Sequence, residues 1–205
     1  TRLDRFVALK FLSPHLRTDE AATSRFMQEA KSASALDHPN ICTVYDIDET
    51  EQGRLFIAMA YHSGVSLKTM IDAGPMPIPE ALDYAEQIAE GLGAAHKAGI
   101  VHRDVKPANI FLVDSGYEVF VKLLDFGVAK LVDNEGRSLH ETGLGDALGT
   151  PEYMSPEQLV GGHVDHRSDI YSLGVVLYEM VTGQKPFDVD ASMGEVVFQQ
   201  LMQAP

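Results

Sequence analysis

Two charged residues interrupt the patterns of the segments that carry them. Lys10 lies in FVALKFL, residues 6–12, where Phe6, Ala8 and Leu12 alternate with Val7, Leu9 and Phe11 as a strand with two apolar faces. Glu29 lies in a helical stripe formed by Ala22, Phe26, Ala33 and Leu36. A lone charge on either apolar face is costly, whereas two such residues lying against each other supply each other's countercharge. The plainer alternative is a lysine whose stem lies along the surface and a glutamate at a helix edge. A denser cluster follows in VHRDVKPANIFL, residues 101–112, which sets Asp104, Lys106 and Asn109 at short offsets where Pro107 bars a regular helix. Asp125 comes next, at the end of an apolar strand and before a glycine. Asp and Asn oxygens suit a hard octahedral cation such as Mg²⁺, and nearby lysines suit phosphates. The cluster therefore reads as a site for a magnesium-bound polyphosphate.

The elements that must position these groups follow from periodicity. A helix is expected over residues 18–36, opening on Thr-Asp-Glu, then short strands near 43–48 and 54–60 around a turn at Gly53. Residues 79–98 repeat apolar positions at three to four and stop at Gly99. A small hairpin, 110–113 with 119–124, precedes about thirty residues without period, a length of loop that compact domains keep for function. Residues 168–182 are apolar almost throughout and predict a buried helix closed by Gly183, and a last helix is expected over 191–202. Strands with one helix come first and mostly helix afterwards, with a boundary near residues 62–67.

Composition narrows the class. The 205 residues carry 30 acidic against 16 basic side chains, a formal charge of -14, which disfavours nucleic acid or an anionic membrane as the main partner. Cys42 is the single cysteine, so no internal disulfide forms and a reducing, cytoplasmic setting is expected. Apolar runs fall short of a membrane span, so no membrane contact is expected within this chain. His163 and His166 lack companion ligands and read as a surface turn.

VALK, HRDVKPAN, DFG and SPE, in this order, resemble the signature set of the eukaryotic-type protein kinases, bacterial-like serine/threonine members in particular. The resemblance extends through FMQEAKSASALDHPNI, GTPEYMSPEQ and SDIYSLGVVLYEMVTGQKPF. It implies a two-lobed α+β fold, with a small mostly β lobe over 1–62 and a larger helical lobe over 63–205. It also implies ATP with Mg²⁺, or Mn²⁺ in its place, and a protein substrate bearing a serine or threonine. Lys10 would hold the α- and β-phosphates and pair with Glu29. Asp104 would accept or orient the substrate proton, Lys106 would steady the γ-phosphoryl group, and Asn109 and Asp125 would bind metal. Ala8 and Phe111 would sandwich adenine, with Met59 guarding the back of its pocket and Tyr61 and His62 as the hinge. His102 and Phe126 would join the apolar stack between lobes, Asp169 would accept hydrogen bonds from the catalytic-loop backbone, and Glu157 would pair with an arginine further on. Arg103 resembles members switched on by phosphorylation; Thr142, with Ser138 second, is the candidate acceptor, and self-association would permit the reaction in trans. Thr150 matches a threonine packed against the catalytic pair. The glycine-rich loop and final helices of such kinases have no counterpart in this sequence, which is therefore expected to be a piece of a longer protein that a segment elsewhere could tether to a membrane. A non-catalytic nucleotide-binding or scaffold module is one alternative; a small-molecule phosphotransferase is another, against which GTPEYMSPEQ speaks.

Overall fold

A computed structural model of the chain describes residues 5–12, 20–126, 151–187 and 193–202. The first elements are β1 (Val7–Phe11), α1 (Glu20–Ser34), β2 (Val44–Glu49) and β3 (Leu55–Ala60). The strands form an antiparallel sheet in the order β1-β3-β2. Leu12, Phe26, Ala30 and Ile57 make the core between sheet and helix. Lys10 stands opposite Ile57 in the register and so shares its covered face, while Leu9 and Phe11 stand opposite Ala58 and Phe56. The expected second apolar face of β1 is a correction: Leu9 is 48% and Phe11 38% exposed. One helix covers one face of a three-stranded sheet, and the Arg54 guanidinium, 4.5 Å from the ring centroid, caps Phe11 on the other.

The remaining elements are β4 (Gly64–Ser66), α2 (Leu67–Asp72), α3 (Ile78–Lys97), β5 (Ile110–Asp114), β6 (Val119–Leu123), α4 (Pro156–Leu159), α5 (His166–Thr182) and α6 (Met193–Met202). A second antiparallel sheet runs β4-β5-β6. Helix α3 lays Ala81, Tyr84, Ile88, Leu92 and Ala95 into the larger core. Neither β4 nor α2 is predicted from periodicity. They are too short to show a period, and Ser66 ends one and caps the other by accepting from the Thr69 backbone N–H.

Helix α5 starts on the Asp165 cap and ends on Gly183 at φ 71°. Its apolar run is not buried all round: Ile170 is 53% exposed, while Ser168, Asp169 and Ser172 are among the buried positions. The buried side is polar over the first turns, where it meets backbone and polar side chains, and apolar further on at Val175, Val176 and Met180. The Ser172 hydroxyl, for example, donates to the Tyr153 carbonyl at 2.7 Å.

The two sheets meet where residues 40–42 run beside β6. Leu123 N donates to Asn40 O at 2.8 Å, and Cys42 N donates to Leu123 O at 2.9 Å. The Asn40 amide donates to Val121 O and Gln87 Oε1, both at 3.2 Å, and Lys122 donates to the Pro39 carbonyl. The chain crosses again between β3 and β4.

Candidate functional site

The loop between α3 and β5 carries the polar cluster, and buried Asp169 fixes its backbone. One carboxylate oxygen accepts from Arg103 N at 2.8 Å; the other accepts from His102 N at 2.9 Å and His96 Nε2 at 2.7 Å. Three donors on one 1% exposed side chain leave it well satisfied. His102 is fully buried, and burial pushes its pKa below the ordinary 6.5, so the ring is neutral. Its contacts set the tautomer: Nε2–H donates to Leu124 O at 3.0 Å, and Nδ1 accepts from Asp104 N at 3.3 Å. Phe126 packs on His102 with ring centroids 4.6 Å apart.

Among the described residues, two other than glycine take left-handed backbone, Arg103 at φ 64° and Asp125 at φ 54°. Both flank this site, and such backbone persists only where surrounding bonds hold it. Asp104 accepts from Lys106 Nζ at 2.8 Å and from Asn109 Nδ2 at 2.9 Å, and Asn109 Nδ2 also donates to the Asp104 carbonyl at 2.9 Å. Leu124 N donates to Asn109 O at 2.9 Å, which brings the end of the hairpin, and Asp125 after it, to the same place. Lys10 reaches across from β1, with Nζ 2.9 Å from Asp125 Oδ1. Lys10, Asp104, Lys106, Asn109 and Asp125, far apart in sequence, are thus brought together. Glu29 lies on α1 as expected, with its side chain outside the description.

Ala8 stands directly across from Met59 in the β1–β3 register, and Phe111 lies on β5 opposite Ser66 and Lys122. Met59 lines a cavity of about 20 Å³ with Cys42, Ile57, Asp125 and Phe126 among the other walls. Burial raises the Cys42 thiol pKa, which keeps it protonated and unreactive. Tyr61 is 59% exposed and packs beside Phe6. His62 has its Nε2 buried without a hydrogen bond, and burial together with nearby Lys122 holds the ring below its ordinary pKa. Glu157 takes a short hydrogen bond from the Ser168 hydroxyl; burial alone would raise its pKa, but the bonds it accepts hold it below the ordinary value. Thr142, Ser138 and Thr150 lie outside the described residues. A larger hollow of about 380 Å³, lined by Leu12, Thr23, Glu49 and Arg54 among others, lies away from the cluster.

The model of the protein kinase domain matches residues 2–204. The chain belongs to the protein kinase domain family. This kinase domain is 44% identical over 194 residues to serine/threonine-protein kinase pkn3 of Myxococcus xanthus, covering 94% of the chain and 36% of that protein. It is 42% identical over 208 residues to serine/threonine-protein kinase PknB of Mycobacterium tuberculosis, covering 100% of the chain and 32% of that protein. The chain thus spans about a third of the length of these relatives. The solved kinase domain of Mycobacterium tuberculosis PknI superposes with a TM-score of 0.72 at 32% identity, covering 92% of this chain and 68% of that one. The two-lobed α+β fold, a small β lobe with one helix and a larger helical lobe, is the fold of this family.

Sequence reasoning missed two residues of this kinase domain. His96 takes part in the Asp169 network from 73 positions away. The available signal was its place on the apolar stripe of α3, four residues after Leu92. Gln158, which reaches the Arg103 carbonyl, carried no signal beyond its part in the Ser-x-x-Gln helix start.

Proposed function

We propose that this chain transfers the γ-phosphoryl group of Mg-ATP to serine or threonine hydroxyls of protein substrates. The observation that carries the reading is Asp104 held by Lys106 and Asn109 in a loop pinned by Asp169, with Lys10 and Asp125 alongside. In this reading the substrate oxygen bonds to the γ-phosphorus as the bridge to the β-phosphate breaks, and the hydroxyl proton passes to Asp104. Lys106 neutralises charge on the transferring group, and Lys10 holds the α- and β-phosphates. The donor set fits magnesium: the Asn109 amide nitrogen is committed to Asp104, which leaves Oδ1 as an acceptor, and Asp125 adds carboxylate oxygen. Magnesium, when bound by Asn109 and Asp125, would neutralise phosphate charge. Most of the catalysis is positioning and preorganised charge, which is why the loop backbone is so heavily hydrogen-bonded.

We place the division between the lobes after His62, and Thr142, then Ser138, as acceptors of autophosphorylation, with Arg103 as the phosphate's partner. The test is transfer of labelled phosphate from Mg-ATP into the purified chain, with Asp104→Asn as the control and the labelled sites mapped. Label on Thr142 or Ser138 that is lost in the control supports the reading. A folded wild-type chain that binds Mg-ATP yet labels neither itself nor an added acceptor protein would favour the non-catalytic module instead.

A further inference from the structure

The peptide unit that leads into Asp104 is held at both ends. Its N–H, on Asp104, donates to His102 Nδ1 at 3.3 Å. Its C=O, on Arg103, accepts from Gln158 Nε2 at 2.9 Å. Gln158 lies 55 positions away, in α4, and its other amide atom is equally committed: Oε1 accepts from the backbone N–H of Ser155 at 2.9 Å. The two contacts have opposite polarity, so the amide fits in one orientation only. One end closes the capping box of α4, whose Ser155 is fully buried; the other meets the carbonyl of a residue in left-handed backbone.

A capping box needs only an acceptor at this position, and glutamate serves there as well as glutamine. What glutamine adds is a donor, and that donor is spent on Arg103. The geometry points to Gln158 as a positioning residue for phosphoryl transfer: it orients the Arg103–Asp104 peptide, and through it the Asp104 carboxylate, from the segment that follows the long loop. A reorientation of α4 would therefore be transmitted to Asp104 through one side-chain amide. The inference deepens the kinase reading and rests on it.

Gln158→Glu separates the two functions of the amide. It keeps the acceptor for Ser155 N–H and sets a carboxylate against the Arg103 carbonyl. Gln158→Leu removes both contacts. Both variants and the wild-type chain are compared for phosphoryl transfer to an added acceptor protein, for KM with Mg-ATP, for thermal stability, and for hydrogen exchange of residues 102–105. The expected result for Gln158→Glu is a folded chain of somewhat lower thermal stability, less affected than Gln158→Leu, with wild-type KM for ATP, kcat lower by roughly 10- to 100-fold, as small misplacements of catalytic groups give, and faster exchange at the Asp104 amide. A merely structural cap predicts that Gln158→Glu behaves as wild type and only Gln158→Leu suffers. Unchanged exchange at Asp104 in Gln158→Glu, or full kcat, overturns the inference. Absence of transfer in the wild-type chain would count against the kinase reading instead, and the exchange measurement would still decide the role of Gln158.

Discussion

Replacing Asp169 by asparagine changes almost no volume and should nevertheless destabilise the chain through the loop between α3 and β5. The carboxylate divides its oxygens between Arg103 N on one side and His102 N with His96 Nε2 on the other. An asparagine has one oxygen. With that oxygen toward His102, its NH₂ confronts the Arg103 N–H; turned over, it confronts the His102 N–H. In either orientation a buried backbone donor loses its acceptor and meets another donor, which costs about 1–3 kcal/mol, and the remaining bonds lose their charge assistance. The sum is about 3–5 kcal/mol, the range for breaking a buried charged network, or roughly 10²- to 10⁴-fold in the folding equilibrium. Urea unfolding at neutral pH, followed by circular dichroism, measures it. The cycle completed with His96→Phe and the double variant should give a coupling of about 1 kcal/mol or more, because both substitutions act on one carboxylate. A loss below about 1 kcal/mol for Asp169→Asn, or strict additivity in the cycle, would refute the account.

Two further outcomes test the surroundings. His102 has a lowered pKa in the folded chain, so the unfolded state binds the proton more readily; stability is fully present above the ordinary 6.5 and falls as pH drops below it. Urea midpoints between pH 5 and 8 should show this dependence, and His102→Gln should reduce its slope by up to about 1.4 kcal/mol per pH unit, one proton's worth. An unchanged slope would mean the ring binds its proton equally well in the folded and unfolded chain. Gly64 approaches the next strand so closely that a Cβ there would overlap the Leu112 carbonyl oxygen and stand 3.0 Å from the Phe111 ring. Gly64→Ala should lose at least ~1–3 kcal/mol, whereas Gly93→Ala, on α3 with no atom within 4 Å of its Cβ, should gain up to about 1. Equal effects on the urea midpoint would contradict the close approach.

The regular elements were legible because each buries one face: Ala81, Ile88 and Leu92 announced α3, and the β5–β6 hairpin announced itself between turns. The polar cluster was legible because Asp104, Lys106 and Asn109 sit within one turn-rich segment that a core has no use for. What stayed hidden were contacts made across long separations by ordinary residues. Gln158 completes a cap in sequence terms, and nothing local indicates that its nitrogen reaches the Arg103 carbonyl. The first turns of α5 defeated the apolar rule for a related reason: Asp169 and Ser172 reach backbone groups of other segments and Ser168 reaches Glu157, so polarity marks the interior there, while Val175, Val176 and Met180 keep it apolar further along.

The two crossings between the sheets carry a mechanical consequence. One is the bracket of Asn40, Ile41 and Cys42 on Leu123; the other is the short stretch from Ala60 to Gly64. A body fastened to another at two points keeps one easy freedom, rotation about the line that joins them. The sheet of β1, β2 and β3 is joined to the rest of the chain in this way, while Ala33 of α1 packs into the larger core and the Lys10–Asp125 ion pair adds a further contact. A small rotation about that line would change the Lys10–Asp125 separation while leaving the bracket's bonds nearly unstretched, as a door turns on two hinge pins.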